Sequence, residues 1–333
     1  MLTADALGWA GGDPPAAEAV MARAGGENFP VASRVLGRRV RTHLLAIYGF
    51  ARLVDEIGDA PIDGYASAQG DAPAQGGVST QADASARLAA LDRLEVELDH
   101  ALRGEAASSP QAAHPLLGRL GESARACGLR REPFVRLIEA NRMDQRVARY
   151  ATWEQLRGYC ALSADPVGEL VLGVFGAATP GRIALSDAIC TALQLTEHLQ
   201  DVAEDLARGR VYLPREDLQR FGCEERELAA AHAGAPLRQV LAFEVDRARA
   251  LFAQGAPLIG QLHGRAKLAV AAFLAGGLAA LEAIERAGYD VLAGPPRAGK
   301  ARRARALLPA LRAARGGAHP ITGHPPHERA GRR

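Results

Sequence analysis

AIYGFARLVDEIGDA, residues 46–60, decides the fold. Tyr48, Arg52, Asp55 and Asp59 stand at i, i+4, i+7 and i+11 within it. At 100° per residue these side chains stay within a sector of about 40–60°, so the segment reads as a helix with one polar, acid-tipped stripe. Around the stripe, Leu44, Ile47, Phe50, Leu53, Val54 and Ile57 make nearly every other side apolar. A helix with that profile is covered all round, which puts the stripe inside the protein.

The same offset recurs in QLTEHLQDVAED, residues 194–205, as Gln194, His198, Asp201 and Asp205. Buried carboxylates are costly unless their charge is compensated. On two antiparallel helices facing each other across a bundle, the stripes would set four carboxylates around one cavity, and that concentration of charge calls for divalent cations. Hard oxygen donors without an organised cysteine or histidine set favour Mg2+, which keeps several waters and bridges carboxylates to phosphates. The pattern therefore reads as a Mg2+–diphosphate clamp, with Arg52 gripping the diphosphate or holding the aspartates. Just beyond the second stripe, Gly209 suits a helix C-cap and Pro214 stops any continuation, so Arg210 and Tyr212 fall at the mouth. One DxxxD pair among 38 acids would be an ordinary solvated helix face; two pairs with matching upstream companions point to chemistry.

Outward from these stripes, apolar residues recur at three and four spacing over 32–58, 84–103, 115–128, 132–150, 153–176, 182–208, 236–254 and 263–287. Alternating β-branched runs are nearly absent, which predicts an all-α bundle of about eight long helices. Residues 60–82 are rich in Gly, Pro and Ser and read as a surface loop. Residues 1–292 form one helical domain with its core in 25–290, and 293–333 a basic, flexible tail. That tail carries a charge of +9 and the body −7. Lys300 to Arg315 can form a short basic helix with Leu307, Leu308 and Leu311 on one side, suited to peripheral contact with anionic lipid.

Other classes are excluded. Aromatic residues make up 5% of the 333-residue chain and the folded body is acidic, so a nucleic-acid partner is not expected. GPPRAGKA, residues 294–301, imitates a phosphate loop, but no strand precedes it and Ala301 stands where the hydroxyl belongs. No glycine-rich dinucleotide motif follows a strand. Cys127, Cys160, Cys190 and Cys223 form no CxxC pair, and no basic, apolar leader opens the chain; both predict reduced thiols in the cytoplasm. The longest apolar run, Leu268 to Leu281, is too short to span a bilayer and reads as a core helix.

Five segments resemble the squalene/phytoene synthase family: ENFPVASRVL (27–36), AIYGFARLVDEIGD (46–59), LIEANRMDQRVARYATWEQLRGYC (137–160), SADPVG (163–168) and LTEHLQDVAEDLARGRVYLP (195–214). They run in the family's order. NFPVASR, SADPVG and EHLQDVAED are most similar to the branch that forms hydroxysqualene in bacterial hopanoid synthesis. The resemblance implies an isoprenoid-synthase helical bundle with a deep apolar cavity and Mg2+ at its mouth. It assigns Asp55, Asp59, Asp201 and Asp205 to the metal, and Tyr48, Arg52, Gln194, Arg210 and Tyr212 to the diphosphate and cation region. The family commonly has Asn where this chain has Glu197, a further carboxylate for metal, and Arg where it has Gln200, one cation fewer.

The substrate so implied is a prenyl diphosphate. In the hydroxysqualene branch, presqualene diphosphate ionises, the cation rearranges, and one held water captures it. Asn141 and Asp144, on one helix, are candidates for positioning that water. Phe29, Phe50 and Tyr159 are candidate cavity walls, with Ser33 a further substrate contact. Two alternatives stay open: head-to-head condensation of two farnesyl or geranylgeranyl diphosphates, and a non-catalytic relative that only binds partners.

Overall fold

The computed structural model describes residues 36–59, 81–105 and 114–299, together with Arg305 and Leu307. Helices account for nearly all of it. Helix α1 (Arg38–Asp59) is followed by α2 (Gln81–Arg103), α3 (Pro115–Cys127), α4 (Glu132–Asp144), α5 (Trp153–Ser163), α6 (Asp165–Val174) and α7 (Pro180–Gln200). Short α8 (Val202–Ala207) and α9 (Arg215–Arg220) lead to α10 (Ala235–Gly255), α11 (Pro257–Gln261) and α12 (Gly264–Arg286). The chain marks several of these ends itself. Helix α3 starts at Pro115 under a His114 cap that accepts from the Leu116 amide, and ends at Gly128 with φ +63°, a left-handed position that glycine takes without strain. Thr152 caps α5 by accepting from the Gln155 amide.

Two apolar cores share the load. One joins α1 to α4 through Phe50, Leu53, Leu94, Leu98, Leu120, Phe134 and Ile138. The other joins α5, α7, α10 and α12 through Leu156, Leu195, Leu199, Leu241, Val245, Leu274 and Leu281. Helix α12 has the length and apolarity of a membrane span, yet most of its apolar stretch is buried inside the bundle. The helix is therefore longer than the apolar run read from the sequence, and its burial, not shortness, makes it a core helix.

Three predicted helices are interrupted. The 132–150 pattern stops at Asp144, and residues beyond it pair with the chain after α8 instead: Val211 N donates to Ala148 O and Arg215 N to Tyr150 O. The 153–176 pattern breaks at Ala164, because Pro166, near the start of α6, lacks the amide that would bond back to Leu162 and its ring crowds that carbonyl. The 182–208 pattern breaks at Asp201, with φ −105° and ψ 19°, where neither Gly nor Pro signals a stop.

Candidate active site

Helices α1 and α7 wall a single cavity of about 590 Å3. From α1 it receives Leu44, Ile47, Tyr48, Ala51, Arg52 and Asp55; from α7 and its end, Ser186, Ile189, Cys190, Leu193, Gln194, Glu197, Gln200 and Asp201. Both sets follow three and four spacing and pass from apolar to acidic toward the C-terminus. The acidic turns lie together: Arg210, just after α8, donates from Nη1 to Asp59 Oδ1 at 3.0 Å. The two helices therefore run the same way past the cavity, not antiparallel as their stripes suggested. Only that arrangement brings two acid-tipped C-terminal turns to one mouth. Both helix dipoles then add negative charge there and strengthen the demand for cations.

Each acid at the mouth has its own environment. Asp55 accepts from Asn141 Nδ2 at 3.2 Å and lies 3.9 Å from Arg52 Nη1. Enclosure by protein pushes its carboxyl up to about 6, against the Asn141 bond and the Arg52 charge, while Asp59 and Asp144 push the same way as burial. Burial also raises Asp201, helped by Glu204 and Asp205 and opposed by His198 and Arg297. Asp205 lies 3.6 Å from His198 Nδ1. Gly58 is what lets α4 approach: a Cβ there would come within 2.1 Å of Asn141 Oδ1.

Asp144 is not on the cavity wall. Both its oxygens are taken, Oδ2 by the Tyr159 hydroxyl at 2.8 Å and Oδ1 by Tyr212 at 3.0 Å. It orients two tyrosines instead of a water. Tyr212 stacks on His198 with ring centroids 3.8 Å apart, and Tyr150 and Tyr159 complete an aromatic group behind the mouth. Of these rings Tyr159 reaches the cavity, as does Asn141. Phe50 is a correction to the wall expected from sequence: it is fully buried in the α1–α4 core, edge-on to Phe134 at 5.4 Å. It lies on the side of α1 turned from the stripe. Phe29 and Ser33 lie outside the described residues.

Sequence reasoning missed the segment after α12. Pro295 and Arg297, within the assigned tail, line the mouth, and Ala298 is buried against Ala279 and Ala283. Gln200 Nε2 donates to Pro296 O, holding the segment over Asp201. Arg297 thus returns at the mouth the cation that Gln200 removes from α7. No local signal foretold this, since the contact joins residues 96 apart. Gln200→Ala should loosen the segment and raise the KM for diphosphate substrate about three- to tenfold, the weight of one hydrogen bond. An unchanged KM in steady-state assays would mean that the Ala298 contact alone holds it. Leu307, expected on a lipid-facing side, packs against the larger core.

The site is thus an apolar cavity among helices with acids and arginines at one end. Residues 22–312 match the squalene/phytoene synthase family model, and the chain belongs to that family. It is 34% identical over 238 residues to hydroxysqualene synthase of Rhodopseudomonas palustris, covering 71% of each chain. It is 32% identical over 229 residues to presqualene diphosphate synthase of the same organism, covering 68% of this chain and 72% of that one. Among solved structures, squalene synthase HpnC from Alicyclobacillus acidocaldarius is similar at 42% identity and a TM-score of 0.67, over 83% of this chain and 92% of that one.

Proposed function

We propose that the protein converts presqualene diphosphate to hydroxysqualene with Mg2+, acting in the cytoplasm. The observation that carries this reading is the meeting of two acid-tipped helix ends at the mouth of one apolar cavity; the similarity to hydroxysqualene synthase and HpnC supports it. The donor set fits the metal. Asp55, Asp59, Asp201 and Asp205, with Glu197 beside them, are hard oxygen donors. Among the described residues no group of three His, Cys, Asp or Glu side chains is placed to hold one ion, so bound Mg2+ would take water and diphosphate oxygens for its remaining positions. When bound, Mg2+ supplies positive charge against the diphosphate as its C–O bond weakens.

The chain's own residues do the rest. Arg52 lines the cavity 3.9 Å from Asp55, a positive charge at the mouth where an anion would sit. Arg297 faces the diphosphate from the other rim, and Arg210, tied to Asp59, holds the two acidic turns together. Once the diphosphate separates, the carbocation lies among Ala51, Leu137, Ala140, Val167, Leu172 and Leu193, which offer no nucleophile. All four cysteines are free, as a reducing compartment requires. Peripheral lipid contact remains a proposal for residues 300–333, which apart from Arg305 and Leu307 lie outside the described part.

Supplying presqualene diphosphate and farnesyl diphosphate separately to the purified protein, with products read by mass spectrometry, tests the reading. A C30 alcohol from presqualene diphosphate alone is expected; turnover of farnesyl diphosphate to a C30 product would favour condensation instead. The pH profile follows from Asp55. Its carboxyl is raised to about 6, and the protonated form is a poor ligand, so affinity for Mg2+ falls as pH drops through 6. At subsaturating Mg2+, kcat/KM should fall about tenfold per pH unit below that point. A profile flat down to pH 4.5 would remove Asp55 from the metal site.

A further inference from the structure

The acidic mouth occupies one end of the bundle, and the opposite end carries a surface of contrary charge. Helices α1 and α7 run the same way, so their first turns lie at the end away from the acids. Helix α12 starts there too: a Cβ on Gly37, just before α1, would come within 3.0 Å of the Arg265 guanidinium in the first turn of α12. Its later turns reach the mouth, where Ala279 and Ala283 pack on Ala298, next to Arg297. None of the three first turns holds an acid, and three helix N-termini facing one way add their positive dipole ends to it.

Basic side chains crowd this end. Arg38, Arg39 and Arg41 come from α1, and Arg265 and Lys267 from α12; Arg38, Arg39 and Arg265 are exposed. Among the described residues none of the five has an ion pair, whereas Arg131 and Arg142 on another face are each held by two or more acids. Leu268, three residues after Arg265 and on the same side of α12, is 40% exposed; among the described residues only Val96 is a more exposed large apolar side chain. Behind this surface Leu36, Leu44, Val171 and Ala269 form a small apolar cluster with Val40 and Phe273. Leu44, Val171 and Phe273 also line the cavity, so the cluster joins the basic end to the hydrocarbon end of the cavity. We propose that this end of the bundle docks on an anionic lipid bilayer. Unpaired arginines around an exposed leucine match phosphate headgroups over hydrocarbon; a nucleic acid would take the cations but not the leucine. The product of such an enzyme is a long hydrocarbon that dissolves in a bilayer and not in water, and docking sets the apolar end of the cavity against the lipid. Residues 300–333 leave the bundle at the other end, so this contact is separate from any that they make.

Sedimentation of the full chain with vesicles of phosphatidylcholine, with and without phosphatidylserine, tests the proposal. The parent should bind the anionic vesicles only, and less tightly as salt rises. Changing Arg38, Arg39 and Arg265 together to Gln should weaken binding about a hundredfold, at about fivefold per cation near an anionic surface. Changing the same three to Lys, which keeps the charge, should preserve the parental affinity. The matching change in the tail, Arg302, Arg303 and Arg305 to Gln, should cost less than the change at the face. None of Arg38, Arg39 and Arg265 lines the cavity, so thermal unfolding and turnover of detergent-dispersed substrate should stay parental in both face variants. A parent that binds no anionic vesicle, that binds phosphatidylcholine alone equally well, or that is captured by DNA and not by vesicles would overturn the assignment. So would a triple Gln variant that binds as the parent does, and loss in the tail variant would then place the lipid contact on the tail. None of these outcomes bears on the hydration reading, which is judged by product alone.

Discussion

Asp201→Asn releases diphosphate from presqualene diphosphate about a thousandfold more slowly than the parent protein at saturating Mg2+. The substitution keeps shape and removes one charge, so the loss measures electrostatics and not packing. Asp201 stands at the break between α7 and α8, on the cavity wall, with its carboxyl raised by burial and by Glu204 and Asp205. A carboxylate held there at such cost is stable only with a cation to answer it. Removing one preorganised group from a site where charge develops costs about 10²–10³ in rate, and more when a metal ligand is lost. Asp55→Asn should behave alike, since Asp55 occupies the matching turn of α1. The measurement is diphosphate released per enzyme per second. Parental rates in both variants would remove Asp55 and Asp201 from the catalytic machinery.

Phe50→Ala is expected to destabilise the fold by about 3–5 kcal/mol, the usual loss on truncating a buried Phe. Phe50 is wholly buried among Leu53, Leu94, Phe134 and Ile138, with an edge-to-face ring contact that adds to its burial. Thermal unfolding should fall by on the order of 10 °C, while the product made by the protein that remains folded stays parental. The two readings of this residue separate here. A cavity-wall Phe50 would leave stability nearly intact and alter the product, and that outcome would show α1 rotated from the orientation described.

Much of the site was legible because helix geometry is local. Tyr48, Arg52 and Asp55 share a face through spacing alone, and so do Gln194, Glu197 and Asp201; all six line the cavity. The breaks were less legible. Pro166 announces one of them, but nothing local marks the bend at Asp201, and the end of α4 depends on pairing with residues around 211 and 215. Asp144 illustrates the limit well. Its place on α4 suggested a side chain pointing at the cavity, yet the hydroxyls of Tyr159 and Tyr212 turn it aside.

Helix periodicity alone carries the all-helical class, the apolar cover of α1 and the two acid-tipped stripes. These follow from a period of 3.6 residues that every chain segment carries within itself. Tertiary structure decided the parallel run of α1 and α7, the tie between Arg210 and Asp59 across 151 residues, and the return of Arg297 to the mouth. Such contacts depend on how preformed helices bury their apolar faces against one another, a balance struck over the whole core and recorded in no single stretch of residues.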